Sequence, residues 1–371
     1  MSRKKGKARQ RMKDWQLRDN HSAGDAAPSR SKIAPNAAKI PAWRQEGGSD
    51  NLDALPRREA MVTGLFPGGV ITIADGQQLI CGVAGTFRPP AGSTALAVGD
   101  IVTVAMTRPE HVDAHTADNV RADGMILSRA KRRTMLARPE PRSGKHRDEY
   151  EDTEFLKVIV ANMDQLVVVA ATRQPAMRQS LIERFWIIAQ RGEMTPLLVV
   201  NKTDIAPPDA EILANLATVG ITPILVSAQT GAGMDELRSR LAGKKSVLAG
   251  ASGVGKSSLV NAIVPGAAAV TNTVRMKDQR GRHTTASAVV YNIADGLLID
   301  TPGVRELAIK MELTELTWYF PEFEALSRQC RFNDCTHLHE PQCAVKAAVD
   351  SGALSPLRYE SYLRLAETLG D

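Results

Sequence analysis

The spacing of apolar positions changes along the chain, and each change marks a different kind of element. Residues 1–57 carry few apolar side chains among Lys, Arg, Ser, Ala and Pro, which predicts a disordered tail. Over 58–128, short β-rich runs (REAMVTGLF, GGVITIADG, QQLICGVAGTF, GDIVTVAM) alternate with Gly/Pro turns. Turn signals every 8–12 residues or so predict a small β-barrel. Cys81 falls inside one such run and reads as a buried strand residue. Residues 129–155 are basic, then acidic, and read as a linker; the prolines around Glu140 and the turn at Gly144 argue against one long helix.

From 156 the pattern becomes strand–helix–strand. VIVANMDQLVVVAAT, TPLLVVNKTD, TPILVSA, SVLAG, ASAVVYNI and GLLIDTPG are apolar strand candidates. SLIERFWIIAQRG, with Leu181, Ile182, Phe185 and Ile188 at helical spacing, reads as an amphipathic helix stopped by Gly192. DAEILANLATVG and GMDELRSRL are further helices. The alternation predicts a mostly parallel sheet covered on both faces, over 156–308. Its ligand groups should lie where strands end, at the carboxyl edge. The remainder, 309–371, reads as two helices, ELTWYFPEFEAL and PLRYESYLRLAETL, flanking a Cys/His-rich loop. Tyr359 and Tyr362 are expected to be core or rim residues.

Candidate chemistry sits at those strand ends. SVLAG runs into Gly250-Ala251-Ser252-Gly253-Val254-Gly255-Lys256-Ser257, followed by Ser258, which fits the phosphate-binding loop G-x-x-x-x-G-K-[ST]. Glycines let successive N–H groups point at phosphate oxygens, Lys256 reaches the β- and γ-phosphates, and the Ser257 hydroxyl ligates Mg²⁺. Strand PLLVV ends in Asn201-Lys202-Thr203-Asp204. The Asp204 carboxylate accepts from guanine N1–H and the exocyclic amine, a donor pair that adenine lacks. Asn201 would brace the loop and the Lys202 stem would cover the base. Ser227-Ala228 ends strand PILV and offers backbone to the guanine 6-oxo group. Asp300-Thr301-Pro302-Gly303 fits D-x-x-G, with Asp300 on Mg²⁺ through water and Gly303 N–H on the γ-phosphate. Thr284 or Thr285, within GRHTT, would close over Mg²⁺. In ordinary small GTPases the phosphate loop comes first. Here N-K-x-D and S-A precede it and D-x-x-G follows, a circular permutation that joins the old termini near Leu241 to Lys245. The segment after D-x-x-G then leads directly into the C-terminal part.

Charge and composition narrow the setting. A length of 371 residues suggests two or three domains. The net charge of +6 is mildly basic and clusters first at Arg3, Lys4, Lys5, Lys7, Arg9, Arg11 and Lys13. That run fits an RNA-contacting arm or a solvated tail. Lys131, Arg132, Arg133, Arg138, Arg142, Lys145 and Arg147 fit a phosphate-contacting strip or a solvated linker. No apolar run reaches the roughly 18 residues that span a bilayer, and the N-terminus lacks a secretory h-region. Three of four cysteines stand beside histidines in Cys330-x4-Cys335-x-His337-x5-Cys343. This supplies a closed tetrahedral Zn²⁺ set, with His339 as the rival to His337, and suggests a reducing compartment.

NKTD, SAQTGAGMDEL, GASGVGKSSLVNAI, GRHTT, DTPGVRE and CRFNDCTHLHEPQC, in this order between a small β-barrel and a Cys/His segment, resemble the ribosome small-subunit-dependent GTPase family RsgA. The resemblance runs from about residue 58 to the end. It implies an OB-fold barrel, a central circularly permuted P-loop GTPase and a mostly helical zinc-binding domain. It implies a cytoplasmic factor using GTP, Mg²⁺ and one Zn²⁺, with Cys330, Cys335, His337 and Cys343 as zinc ligands. Its partners would be the 30S subunit and 16S rRNA, late in subunit maturation, with hydrolysis stimulated by the subunit. Val304 stands where Ras-like enzymes carry the water-orienting Gln, so intrinsic hydrolysis should be slow. His283 is the candidate to replace it, as the resemblance also suggests. Gly253 occupies the position where potassium-dependent relatives often carry Asn, which leaves potassium open. A monomer is expected. The competing readings are a permuted GTPase of the large subunit and an RNA-binding module with a vestigial nucleotide site.

Overall fold

A computed structural model describes residues 52–66, 69–90, 92–107, 122–140, 155–264, 267, 288–301, 304, 309 and 311–369. Residues 1–51 of the predicted tail with its basic run, Arg142, Lys145 and Arg147, the GRHTT segment and Pro302-Gly303 lie outside the described residues; the last residues of the predicted tail are ordered, with a 3-10 turn over Leu52–Ala54 and Arg57 opening the first strand.

Alternation produces the first unit. In β2 (Gly69–Ala74) every second side chain is buried, which is what a strand with one face inward requires. The Asp75-Gly76 turn, with φ of 50° and 77°, joins β2 to β3 (Gln77–Val83); paired positive φ angles match the twist of a tight hairpin. With β1 (Arg57–Phe66), β4 (Ile101–Met106) and β5 (Gly124–Arg129) these strands close a barrel in the order β1-β2-β3-β5-β4. β3 and β5 are parallel, whereas β4 returns antiparallel to β1. Val62, Val70, Cys81, Val102, Val104 and Ile126 fill the interior, so Cys81 is the buried strand residue expected.

The stretch read as linker departs from that reading. Met135–Glu140 forms β6 and pairs antiparallel with β7 (Phe155–Ala161). Its apolar run is only Met135-Leu136-Ala137, too short to stand out among cations, yet Leu136 is buried in the core with Val160 and Met163. The predicted phosphate-contacting strip is also interrupted. Arg132 donates from Nε and Nη2 to both oxygens of the fully buried Asp100, at 2.7 and 2.8 Å. Arg133 pairs with Asp164 at 2.7 Å. A guanidinium held on a buried carboxylate is committed to that ion pair, so Arg132 is structural, not a phosphate contact.

The next unit is a six-stranded sheet. In chain order it contains β8 (Gln165–Ala171), α1 (Gln179–Arg191), β9 (Thr195–Asn201), α2 (Ala210–Thr218), β10 (Ile224–Leu225), α3 (Met234–Leu241), β11 (Lys245–Ala249), α4 (Lys256–Ile263), β12 (Val289–Ile293) and β13 (Gly296–Asp300). The strand order is β10-β9-β8-β11-β13-β12, with only β12 antiparallel to its neighbour. Every residue of β8 is buried. Leu166 and Val168 face a core that holds Phe185 of α1, while Val167 and Val169 face one that holds Leu237 and Leu259 of α3 and α4. The two-residue strand period therefore requires helices on both faces. Gly192 does end α1, but at φ −82°. The left-handed residue is Glu193, at φ 59°. A Cβ at Gly192 would lie 2.4 Å from Met135 O, so β6 demands the glycine there.

The C-terminal part is α5 (Leu313–Leu316), a 3-10 turn over Thr317–Tyr319, α6 (Pro321–Ser327), α7 (Ala344–Asp350) and α8 (Pro356–Glu367). In the sequence ELTWYFPEFEAL reads as one helix, and Leu316, Phe320 and Phe323 keep helical spacing across it. Pro321 breaks it, since it lacks an N–H and pushes Phe320 out of the helical region, to φ −121° and ψ 73°. Phe320, Phe323 and Tyr362 pack into the same core as α1. Among the described residues, no helix is long and apolar enough to cross a membrane.

Candidate functional site

The carboxyl ends of β9, β10, β11 and β13 lie along one sheet edge, because the strands are parallel and adjacent through β8. β11 leads into the glycine loop and α4 begins at Lys256, capped by Gly255 at φ 94° without a side-chain cap. First-turn N–H groups of such a helix point at whatever occupies the loop, and they favour an anion. Lys256 is buried, and its Nζ donates to Gly250 O and Ala251 O at 2.7 Å each. Ser252, Gly253, Ser257 and Ser258 are exposed, and Ala251 is half-buried. Val254 points inward with 3% exposure, so only its backbone can face a phosphate. Asp300 ends β13 half-buried, in register with Leu248 of β11.

Asn201 joins three strand ends. Its side chain is buried; Nδ2 donates to Val254 O at 3.1 Å and Oδ1 accepts from Ala228 N at 3.1 Å. A Cβ at Gly255 would lie 2.3 Å from Asn201 Nδ2, so this contact and the glycine require each other. The buried Ser227 donates from Oγ to Asp204 Oδ1 at 2.6 Å and accepts from Thr230 N at 3.1 Å. Asp204 itself is exposed. Lys202 adopts φ 65°, its carbonyl takes the Thr172 hydroxyl at 2.7 Å, and its Nζ donates to Gln174 O. The structure thus brings Asn201, Lys202, Asp204, Ser227 and Ala228 beside the phosphate loop. His283, Thr284, Thr285 and Gly303 lie outside the described residues. Val304 is fully buried in the core with Ile299 and Ile309, and an apolar side chain offers no group to orient water.

A second cluster stands between α6 and α7. The ligand atoms of Cys330, Cys335, His337 and Cys343 all lie within 4.8 Å of one another. Cys330 Sγ and Cys343 Sγ are 4.0 Å apart, and His337 Nδ1 lies 3.7 and 3.4 Å from them. Donors around a tetrahedral zinc, with Zn–S near 2.3 Å and Zn–N near 2.0 Å, are separated by about 3.5–3.8 Å. The donor set fits one zinc ion. His339 is exposed and outside the cluster. Burial lowers the His337 pKa, which keeps the imidazole in its neutral, ligating form. Burial and the crowding of neighbouring thiols push Cys335 up to about 12; a divalent cation among them reverses that balance.

The loop carrying His337 is held by groups that no motif marked. Glu340 Oε1 accepts from Thr336 N at 2.8 Å and Thr336 Oγ1 at 2.5 Å, and Oε2 accepts from Leu338 N and His339 N at 3.1 and 3.2 Å. Burial works to raise the Glu340 carboxyl, but these hydrogen bonds prevail and hold it at about 2. Tyr359 and Tyr362, core and rim residues as expected, donate to His337 O and Thr336 O at 2.7 Å each. Together they hold His337 at φ 61°. Next to them, Arg358 of α8 reaches Glu183 of α1 at 2.6 Å, also bonds Glu322, and lies 4.1 Å over the Phe320 ring. Both Arg358 and Glu183 are nearly fully buried.

Comparison with known proteins follows the same division of the chain. A family model described as RsgA GTPase matches residues 130–310. The chain is 35% identical over 309 residues to the small ribosomal subunit biogenesis GTPase RsgA of Gemmatimonas aurantiaca, covering 81% of this chain and 94% of that protein. It is 35% identical over 322 residues to the protein of the same name from Thermotoga neapolitana, covering 84% and 97%. The crystal structure of YjeQ from Thermotoga maritima superposes with a TM-score of 0.59 at 31% identity, covering 85% of this chain and 100% of that one. YloQ, a circularly permuted GTPase, superposes with a TM-score of 0.56 at 25% identity, covering 85% and 96%.

Proposed function

Because this chain belongs to the RsgA GTPase family of GTP-hydrolysing enzymes, we propose that it binds the 30S subunit and its 16S rRNA late in small-subunit maturation, and leaves after hydrolysis. The observation that carries the site reading is the convergence of four parallel strand ends on one edge, tied together by the buried Asn201. In this reading the backbone from Gly250 to Ser258, the α4 N-terminus and Lys256 cradle the phosphates of GTP. Ser257 ligates Mg²⁺ directly and Asp300 does so through water. One of Thr284 and Thr285 completes that shell, and Gly303 N–H reads the γ-phosphate. Asp204 selects guanine, aligned by Ser227; Lys202 covers the base and Ala228 N–H faces its 6-oxo group.

Val304 supplies nothing to the attacking water, so His283, just before the two threonines, is assigned to position it. Cys330, Cys335, His337 and Cys343 would hold one structural Zn²⁺, which supplies folding energy to the α6–α7 loop and no chemistry. The reading includes a cytoplasmic location and a monomeric state.

Phosphate release measured with and without 30S subunits tests it. Slow release alone and strong stimulation by 30S are expected. No release under either condition would indicate a vestigial site. Sedimentation with a non-hydrolysable GTP analogue should show co-migration with 30S; migration with 50S overturns the partner.

A further inference from the structure

Ser327, the last residue of α6, lies outside the metal cluster but touches it. Its hydroxyl oxygen is 3.0 Å from His337 Nε2. The same hydroxyl donates to Phe323 O at 2.7 Å. A serine hydroxyl has one proton to give. With that proton on the Phe323 carbonyl, Ser327 Oγ can only accept from Nε2, so Nε2 carries the ring hydrogen. Nδ1 is left with the lone pair, and Nδ1 is the nitrogen that faces Cys343 Sγ and Cys330 Sγ at 3.4 and 3.7 Å. The opposite arrangement would turn an N–H toward the two sulfurs and prevent ligation.

We propose that Ser327 is the positioning residue of the metal centre: it holds His337 in the Nε2–H tautomer and aims Nδ1 at a thiophilic divalent cation. The proposal rests on the reading of Cys330, Cys335, His337 and Cys343 as a zinc site. The ring has little freedom to do otherwise. Phe323 meets it edge-on, with centroids 5.6 Å apart and planes at 88°, and the Tyr359 hydroxyl holds its carbonyl. Hydrogen bonds to the far nitrogen of a ligating histidine raise its basicity and fix its orientation. α6 therefore contributes to the metal site without contributing a ligand.

The test uses the full zinc-loaded chain and two variants, Ser327→Ala and Ser327→Thr. Zinc affinity is measured by competition with a chromophoric chelator. Ser327→Ala should weaken it by about 10- to 100-fold, while Ser327→Thr, which keeps the hydroxyl, should stay close to wild type. Ser327→Ala also leaves the buried His337 Nε2–H without its partner in the chelated protein, so the urea midpoints of the chelated variants are read beside zinc affinity: a small midpoint shift next to a large loss of affinity is expected. This separates a metal-specific effect from a packing defect. On the wild type itself, ¹⁵N-histidine NMR of the zinc-loaded protein should report Nδ1 as the metal-bound nitrogen and Nε2 as protonated. Unchanged zinc affinity in Ser327→Ala, or metal on Nε2, overturns the assignment. Failure of wild type to bind one equivalent of zinc overturns the metal reading and this proposal with it.

Discussion

In the proposed reading Asp204 carries the selectivity of the nucleotide site in a single functional group. It is exposed at the end of β9, with Oδ1 aligned by the Ser227 hydroxyl. An ionised carboxylate only accepts hydrogen bonds, and guanine offers two adjacent donors to it. Asp204→Asn preserves shape but places a donor opposite a donor. Affinity for GTP should fall by about 100-fold, equivalent to about 3 kcal/mol, and xanthosine triphosphate, which has an oxo group in place of the amine, should gain. Competition against a fluorescent nucleotide reads both effects; an undiminished preference for GTP would remove Asp204 from base recognition. Residues of this kind were legible in the sequence because chemistry sets their spacing: Lys256 must follow Gly255, and Asp204 must stand three positions after Asn201. Glu340, Ser327 and Arg358 were not legible. The partners of Ser327 and Arg358 include side chains distant in sequence, and Glu340 closes a short loop mostly on backbone N–H groups, which no residue type in the sequence marks.

Elements follow the same division. β8 was legible because an unbroken apolar run bounded by turns can only be a buried strand or helix, and its length decided between them. β6 was not, because three apolar residues among cations give no period. The joint at the permutation was legible and proves short. α3 passes to β11 through Ala242-Gly243-Lys244, with Gly243 at φ 67° and its N–H on Ala294 O at 3.1 Å. The contact between α8 and α1 is the element-scale feature that the sequence hid. Arg358 and Glu183 sit in helices whose amphipathic patterns would have passed both off as surface charges, yet their side chains are only 5% and 3% exposed. Gln179 Nε2 adds a bond to Glu183 Oε1 at 2.8 Å. Removing one partner of a buried pair strands the other charge, so Arg358→Ala should cost about 3–5 kcal/mol. Replacing both, Arg358→Met with Glu183→Leu, should recover part of that loss, because apolar side chains of similar volume need no partner, although Gln179 Nε2 and Glu322 lose theirs. Urea midpoints of the single and double variants measure the difference. Equal destabilisation by both would mean that packing against Phe320, rather than charge, holds the C-terminal helices to α1.

At the scale of the whole chain, permutation places β13, whose end carries the D-x-x-G motif, immediately before the C-terminal helices. Val304 marks the junction. Its side chain is fully buried in the core that also holds Phe320 and Tyr362, so the residue after the D-x-x-G motif belongs to the same core as the C-terminal helices. Placing glutamine there would bury an unpartnered amide, a cost of about 1–3 kcal/mol, and would not bring it to water. The order of motifs made the permutation legible. The burial of Val304 could not be read from a single valine. It sharpens the case for His283, because the group that positions water must then come from another segment, and His283 stands next to the two threonines assigned to Mg²⁺. His283→Ala should reduce 30S-stimulated turnover by about 100-fold or more, the usual contribution of a proton-transfer or water-positioning side chain. GTP affinity should stay near wild type, since His283 is assigned no ground-state contact with the nucleotide. Intrinsic turnover, expected to be slow, should change little. Single-turnover hydrolysis with saturating 30S, paired with nucleotide binding on the same preparation, separates the outcomes. A parallel loss of GTP affinity would make His283 a binding residue, and unchanged stimulated turnover would require the subunit itself to supply the group that orients water.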